Sequence, residues 1–284
     1  MALRQVTKEE LDRLREMARI LRCDVIRMVH ASGSGHPGGS LSAADIMAAL
    51  YFHFLRVDPG NPLAPDRDRF ILSKGHCCPV HYAALARRGF FPVAELLTLR
   101  RLGSVCQGHP CMKKTPGLDM TSGSLGNGLS IGAGMALGAR LDGRTYRVFV
   151  MVGDGEMQEG MIWEALMSSA HLQLGNLCLI VDKNGLQVDG PVAEIVSIDP
   201  LPEKLRDFGW EVREIDGHDM GAIVDTLDAV PFVAGKPSMI IAHTIKGKGF
   251  KPAEDRVDWH YQPVNKEILE AALAELRAAM EGRR

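Results

Sequence analysis

Residues 147–156 read Arg147-Val148-Phe149-Val150-Met151-Val152-Gly153-Asp154-Gly155-Glu156, and residues 177–184 read Leu177-Cys178-Leu179-Ile180-Val181-Asp182-Lys183-Asn184. Arg147–Val152 is a continuous β-branched and apolar run, which fits a strand buried on both faces of a parallel sheet. Leu177–Val181 is a second such run, and a helix from about Gly160 to Leu172 lies between them. Working outward, Trp210–Ile215, a helix at Met220–Val230 and a strand at Ser238–Ala242 continue the alternation, and Arg69–Ser73 is a shorter strand upstream. Strand–helix–strand alternation predicts an α/β fold, a parallel β-sheet with helices on both faces. No linker and no internal repeat interrupts residues 1–284, which read as one domain.

The first half is helical and punctuated by glycine. Thr7 with Glu10 forms a capping box, and Leu11, Leu14, Ala18, Leu21 and Val25 follow at helical spacing, so a helix runs to about Ala31. It stops at the glycine-rich segment Ser32–Gly39. Ser42 with Asp45 predicts a second helix from Ala43 to about Leu55, and the proline-rich Asp58–Asp68 predicts a loop. Helical stretches follow at Pro79–Arg88 and Pro92–Leu102. A second glycine-rich loop, Thr121–Gly128, opens an Ala/Gly-rich helix to about Leu141, whose small residues predict close packing against a neighbour. An amphipathic helix over Asn265–Met280 is the last element. Gly33-x-Gly35-x-x-Gly38 matches the dinucleotide fingerprint, but it follows a helix where that fingerprint must follow a strand, so it is rejected.

Composition removes several function classes. Lys and Arg total 33 against 35 Asp and Glu, a net charge of −2, which argues against a nucleic-acid or anionic-membrane binder working by bulk positive field. No apolar run reaches the ~18 residues of a membrane span. The closest, Ala43–Val57, contains Asp45, His53 and Arg56, and Met1–Leu14 is charged without an apolar signal core, which points to the cytoplasm. Six cysteines are too sparse for a disulfide scaffold. Cys23 and Cys178 read as small buried hydrophobes. Cys78-x2-His81 and Cys106-x2-His109 could in principle supply four zinc ligands, but no Cys-x-x-Cys pair supports zinc.

The chemistry concentrates in Gly153-Asp154-Gly155 and in Asn184, 30 residues beyond Asp154. Both fall just past the C-terminal ends of predicted parallel strands joined by a helix, and a crossover of that length sets their side chains side by side at one sheet edge. A carboxylate, an amide oxygen and a nearby backbone carbonyl are hard ligands suited to Mg²⁺ shared with phosphate. Glycines on either side of Asp154 let a diphosphate approach the backbone, and the following helix N-terminus favours its charge. The competing reading is a turn with an Asp cap and an unrelated Asn.

Gly153-Asp154-Gly155 through Lys183-Asn184 resembles the thiamine-diphosphate motif, and the flanking segments resemble transketolases in particular. Ser34-Gly35-His36-Pro37-Gly38, Leu72-Ser73-Lys74-Gly75-His76, Gly108-His109-Pro110 and Thr121-Ser122-Gly123-Ser124-Leu125-Gly126 stand in the family's order. So do Gln158-Glu159-Gly160, Thr244-Ile245-Lys246-Gly247 and Trp259-His260, and the resemblance covers essentially the whole chain. It implies the thiamine-diphosphate-binding fold, in its diphosphate-binding form. Asp154 and Asn184 would hold Mg²⁺ (or another divalent ion such as Ca²⁺ or Mn²⁺) by side chains and Leu186 by its carbonyl. Gly153 and Gly155 would meet the diphosphate, with His76, Lys246 and His260 nearby, and Gly123 and Leu125 would border the aminopyrimidine. His36, His109 and His260 would line the channel to the thiazolium carbon, binding sugar hydroxyls and moving protons. Glu159 and Glu164 match acidic residues that connect paired active sites across the family's subunit interface.

The histidines at these positions lie beside Gly or Pro or in loops, where side chains reach a cleft, and imidazole titrates near neutrality. For each alone, capping a turn competes with catalysis. His30, His53 and His171 default to structural roles, His81, His218 and His243 stay unassigned, and Lys74 reads as a phosphate contact or a solvated lysine. In the family, the glutamate that activates the cofactor belongs to a second, pyrimidine-binding domain, for which 284 residues leave no room. The resemblance therefore implies a split transketolase. This chain would be the N-terminal subunit. The C-terminal subunit would be a separate chain that completes an α2β2 heterotetramer, and sugars or sugar phosphates would exchange a two-carbon ketol unit. Asn265–Met280 and Asn127–Leu141 would serve as terminal helix and interface helix. A 2-oxo-acid dehydrogenase α-type chain, a deoxyxylulose-phosphate-synthase-like enzyme and a non-catalytic half remain alternatives.

Overall fold

A computed structural model describes residues 6–281; the first five residues of the charged N-terminal segment and the last three of the chain lie outside it. Strands β1 (Arg69–Leu72), β2 (Val148–Gly153), β3 (Leu177–Lys183), β4 (Glu211–Asp216) and β5 (Ser238–His243) form one parallel sheet in the order β1-β2-β3-β5-β4. Leu72 pairs with Met151, Gly153 with Asp182, and Lys183 with His243. That register brings Ser73, Asp154, Asn184 and Thr244 out along a single edge, the carboxyl edge where open α/β sheets bind ligands.

The helices are α1 (Lys8–Ser32), α2 (Pro37–Ser42), α3 (Ala44–Ala49), α4 (Cys78–Arg88), α5 (Asn127–Leu141), α6 (Gly160–His171), α7 (Val192–Ile195), α8 (Leu201–Asp207), α9 (Met220–Asp228) and α10 (Lys266–Glu281). Phe149 and Met151 of β2 enter a core shared with α1, α3, α4 and α9, while Val148, Val150 and Val152 enter a second core shared with α5, α6 and α8. Side chains of a strand alternate between faces, so two cores explain an apolar run without alternation. Val148 through Val152 are all fully buried, and each large side chain contributes about 1.5–3 kcal/mol relative to exposure.

Helix α1 has the predicted capping box: the Glu10 N–H donates to Thr7 Oγ1 (3.2 Å) and the Thr7 N–H to Glu10 Oε2 (2.9 Å). It ends where Gly33 takes a left-handed φ of 67°. Two expectations need correction. The helix expected from Ala43 to about Leu55 is present as α3 and the turn after it, but Ser42 does not cap it: Ser42 ends α2, a short helix that begins at Pro37, which suits the first helical position. The Ser42 hydroxyl is drawn into the interior, donating to Asp182 Oδ2 at 2.6 Å, and α3 then widens into a π turn over Leu50–Phe54. The segment Pro92–Leu102 forms only a 3-10 turn, Val93–Thr98. There Thr98 Oγ1 donates to the Glu95 carbonyl (2.7 Å), and the N–H of Arg100, at a φ of 65°, donates forward to the Cys106 carbonyl (2.9 Å).

Helix α5 splits the expectation for its small residues. A Cβ on Gly132 would lie 2.5 Å from Val150, whereas Gly134 and Gly138 meet nothing within 4 Å and face outward. Among the described residues no helix is long and apolar enough to cross a membrane.

Candidate active site

The turns after β2 and β3 are stitched together by one carboxylate. Asp154 Oδ1 accepts from the Gly155 N–H (2.9 Å), Oδ2 accepts from the Gly185 N–H (2.5 Å), and the Asp154 N–H donates to the Asp182 carbonyl (3.3 Å). Asn184 Oδ1 accepts from the Leu186 N–H at 3.2 Å, and the Leu186 carbonyl faces the Lys246 ammonium at 2.9 Å. Asp154 is 2 % exposed, and burial pushes its carboxyl up to about 6, assisted by the neighbouring Asp182 charge and opposed by the Gly185 and Gly155 N–H groups. A dehydrated carboxylate, an amide oxygen and a carbonyl already turned toward a cation are the donor set a hard divalent ion takes. The residues therefore fit the metal expected of them. Gln187 packs against Gly155, and its Oε1 is buried without a partner.

Histidines converge on the same edge from three separate segments. His36 precedes α2, His76 lies in the 3-10 turn Gly75–Cys77 after β1, and His260 ends the 3-10 turn Val257–His260. His76 and His260 stack at 5.0 Å between ring centroids, with His36 edge-on to them at 5.2 and 5.6 Å. The Lys246 ammonium lies 3.0 Å from His260 Nδ1. Burial, reinforced by the neighbouring cations and imidazoles, lowers His36 and His260 to about 3 and His76 to about 4. His109 shifts the same way for the same reason. At those values His36, His76 and His260 are neutral at pH 7, and a neutral imidazole carries one donor and one acceptor nitrogen.

His109 is exposed and stands against Gly123, where a Cβ would lie 3.5 Å from the ring. Gly123 is exposed and Leu125 half-buried in the loop before α5. Glycine is required where the chain crowds: a Cβ on Gly38 would lie 2.6 Å from the Trp259 carbonyl, and one on Gly75 2.9 Å from the Gly123 nitrogen. Glu159 and Glu164 are exposed, at the start and on the outer face of α6, with Glu159 packed against Gly126, and neither carboxylate is hydrogen-bonded among the described residues.

Sequence reasoning missed several residues. Arg100 donates to Ser34 Oγ (2.8 Å) and lies 3.4 Å from His36 Nδ1, while Tyr261 is edge-on to His36 at 5.0 Å. Lys74 is not a solvated lysine: it is 3 % exposed and paired with Asp182, which also accepts from Ser42 and Thr244. His218 is structural, facing Asp45 through Nδ1 and accepting the Ile245 N–H through Nε2, both at 2.8 Å. The zinc quartet does not converge, since His81 lies in the core 2.6 Å from the Tyr51 hydroxyl. No group of three or more His, Cys, Asp or Glu among the described residues is placed to hold a metal.

Residues 12–279 match the model of the family described as transketolase, thiamine diphosphate binding domain. The chain is 43% identical over 271 residues to the 6-deoxy-6-sulfo-D-fructose transketolase subunit SqwG of a Clostridium species, covering 95% of this chain and 98% of that one. It is 38% identical over 257 residues to an apulose-4-phosphate transketolase subunit of Phocaeicola vulgatus, covering 90% and 91%. Among solved structures, transketolase from Leishmania mexicana superposes with a TM-score of 0.88 at 30% identity, over 93% of this chain and 41% of that one. The chain thus belongs to the transketolase family, as an N-terminal-type subunit built on its thiamine-diphosphate-binding domain.

Proposed function

We propose that this chain is the diphosphate- and metal-holding subunit of a two-chain transketolase, moving a two-carbon ketol unit from a phosphorylated or otherwise anionic ketose to an aldose. One observation carries the reading: Asp154 and Asn184 lie on hydrogen-bonded turns at the carboxyl edge, facing Lys246 and the cluster His36–His76–His260. Asp154, Asn184 and the Leu186 carbonyl would hold Mg²⁺, with Ca²⁺ or Mn²⁺ served by the same oxygens. The Gly155 N–H would meet the diphosphate, and Lys246 with His76 would add positive charge and donors. When bound, the cofactor supplies a carbon nucleophile able to cleave and remake the bond beside a ketose carbonyl.

The chain's own residues would bind, orient and move protons around that carbon. His36, His109 and His260 are neutral and would hydrogen-bond sugar hydroxyls, accepting a proton at one ring nitrogen and returning it as the acceptor aldehyde is captured. An incoming diphosphate would raise the lowered values of His76 and His260 toward neutrality, since a nearby anion favours the protonated ring.

We assign residues 1–284 to one domain and place the protein in the cytoplasm. The subunit names of the relatives support a separate partner chain, and a C-terminal subunit carrying the pyrimidine-binding domain would complete an α2β2 assembly. The outward faces of α5 and α6, with Ile131, Glu164 and Met167 exposed and Gly134 and Gly138 open, would form part of the contact. The test mixes the chain with its partner, thiamine diphosphate, Mg²⁺, an anionic ketose and an aldose, and reads the exchanged sugars by mass spectrometry. Turnover is expected only with both chains. Robust transfer by this chain alone would overturn the two-chain reading, and none with both would overturn the transferase.

A further inference from the structure

Glu156 is 4 % exposed, yet among the described residues no cation pairs with its carboxylate. Its Oε1 accepts from the Ser73 hydroxyl (2.5 Å) and the Gly126 N–H (2.9 Å), and its Oε2 accepts from the Gly153 N–H (3.1 Å). Ser73 Oγ in turn accepts from the Gly128 N–H at 3.2 Å. Three segments therefore meet on one side chain: the end of β1 at Ser73, the N-cap and first turn of α5 at Gly126 and Gly128, and the end of β2 at Gly153. Every group aimed at the carboxylate is a donor, so the position calls for a side chain that only accepts. The positive end of α5 favours a negative charge there, and such charge-assisted bonds are the strong ones.

The segments joined in this way carry the two ends of the cofactor site. Gly153 opens the turn whose Gly155 would meet the diphosphate, and Gly126 closes the loop whose Gly123 and Leu125 would border the aminopyrimidine. We propose that Glu156 is a positioning residue that fixes the spacing between the diphosphate turn and the pyrimidine loop. The inference rests on the cofactor reading above. It adds a side chain that would touch neither the cofactor nor the metal and would act through both segments.

Glu156→Gln keeps the volume and exchanges one acceptor oxygen for an NH2 group. Either orientation of the amide sets that donor against a backbone N–H, of Gly126 or of Gly153. The test titrates the full chain, together with its partner chain, with Mg²⁺–thiamine diphosphate and separately with Mg²⁺ and inorganic pyrophosphate. Tryptophan fluorescence is the readout, since Trp163 donates to the Met157 carbonyl beside the site. Pyrophosphate needs only the diphosphate turn, whereas thiamine diphosphate needs both ends at the correct separation. E156Q is expected to weaken thiamine diphosphate ~10-fold or more and pyrophosphate less than ~3-fold. Ser73→Ala, which removes only the relay hydroxyl, is expected to shift thiamine diphosphate in the same direction, and the double variant to match E156Q alone, because the two residues act as one unit. Ser73→Ala decides the case if E156Q does not fold.

Equal weakening of both ligands would reduce Glu156 to a stabiliser of the turn, and unchanged thiamine diphosphate affinity would remove it from the site; either overturns the proposal. A wild-type assembly that binds pyrophosphate but not thiamine diphosphate, or binds neither, would bring down the cofactor reading itself. That failure appears in the wild type and is thereby distinct from a failure seen only in the variants.

Discussion

Where β1 and β2 begin, Asp68 is fully buried and receives Arg56 and Arg147 at 2.9 and 2.6 Å, and Asp119 receives Arg67 at 2.5 Å. Against the cost of burial, the hydrogen bonds from Arg147 and Arg56 hold the Asp68 carboxyl below its usual range. Where β2 ends, Asp154 and Glu156 are as deeply buried, but their bonds come mainly from backbone N–H groups, and burial raises both. The histidines beside them are pressed the other way. The opening edge of the sheet is electrostatically closed by arginine, whereas the carboxyl edge is left with charge demand that bound groups can meet. Stability is concentrated at one end and binding capacity at the other.

The contrast breaks first, and most heavily, at Asp68. Asp68→Ala should cost about 3 kcal/mol in denaturant unfolding, because the arginines lose their buried partner. Ligand affinity of the folded fraction should stay as in the wild type; a stability loss below about 1 kcal/mol would show that the opening edge is not held by these pairs. At the other edge, Asp154→Ala should weaken Mg²⁺-dependent cofactor binding ~100-fold, about 2.7 kcal/mol, with a smaller stability loss than Asp68→Ala, because the Gly155 and Gly185 N–H groups lose their acceptor but no arginine loses its partner. A variant that unfolds but binds normally when folded would erase the distinction between the edges.

His109→Ala refines the comparison within the carboxyl edge. Turnover of the assembled enzyme should fall ~100-fold with cofactor affinity nearly unchanged. The reverse pattern would move His109 from the sugar channel into the diphosphate site.

A last contrast separates burial from function. His81 is lowered to about 3 by burial alone, in the core and away from the cleft. Its depression matches that of His36 and His260, so a depressed imidazole does not by itself mark the site. Because the unfolded chain takes up this proton near pH 6.5 and the folded chain only near 3, stability is intact above that window and falls as pH drops through it. His81→Gln should remove about 1.4 kcal/mol per pH unit from the slope between pH 6 and 4, read from urea midpoints. An unaltered slope would assign the acid sensitivity to other groups.

Much of this arrangement was legible in the chain. Arg147–Val152 and Leu177–Val181 revealed buried parallel strands because burial on both faces removes the polar alternation. The spacing of Asp154 and Asn184 then followed from the length of one crossover. Glu156 and Lys74 were not legible, because their partners are set by tertiary proximity: Lys74 meets Asp182, and Glu156 meets Ser73 and Gly126. Ser42 carried a cap signal that the Asp182 network overrode, and Arg100 was absorbed into a helical pattern that the backbone abandons. Local pattern reads elements and turns, while buried charge belongs to contacts that only the fold creates.

The central claim is that the carboxyl edge holds a divalent ion and thiamine diphosphate through Asp154. Calorimetric titration of thiamine diphosphate into the chain with its partner chain, with Mg²⁺ and after chelation, in wild type and Asp154→Ala, tests it directly. Binding should require Mg²⁺ and be weakened ~100-fold in the variant. Equal affinity with and without the ion, or in wild type and variant alike, would contradict the account.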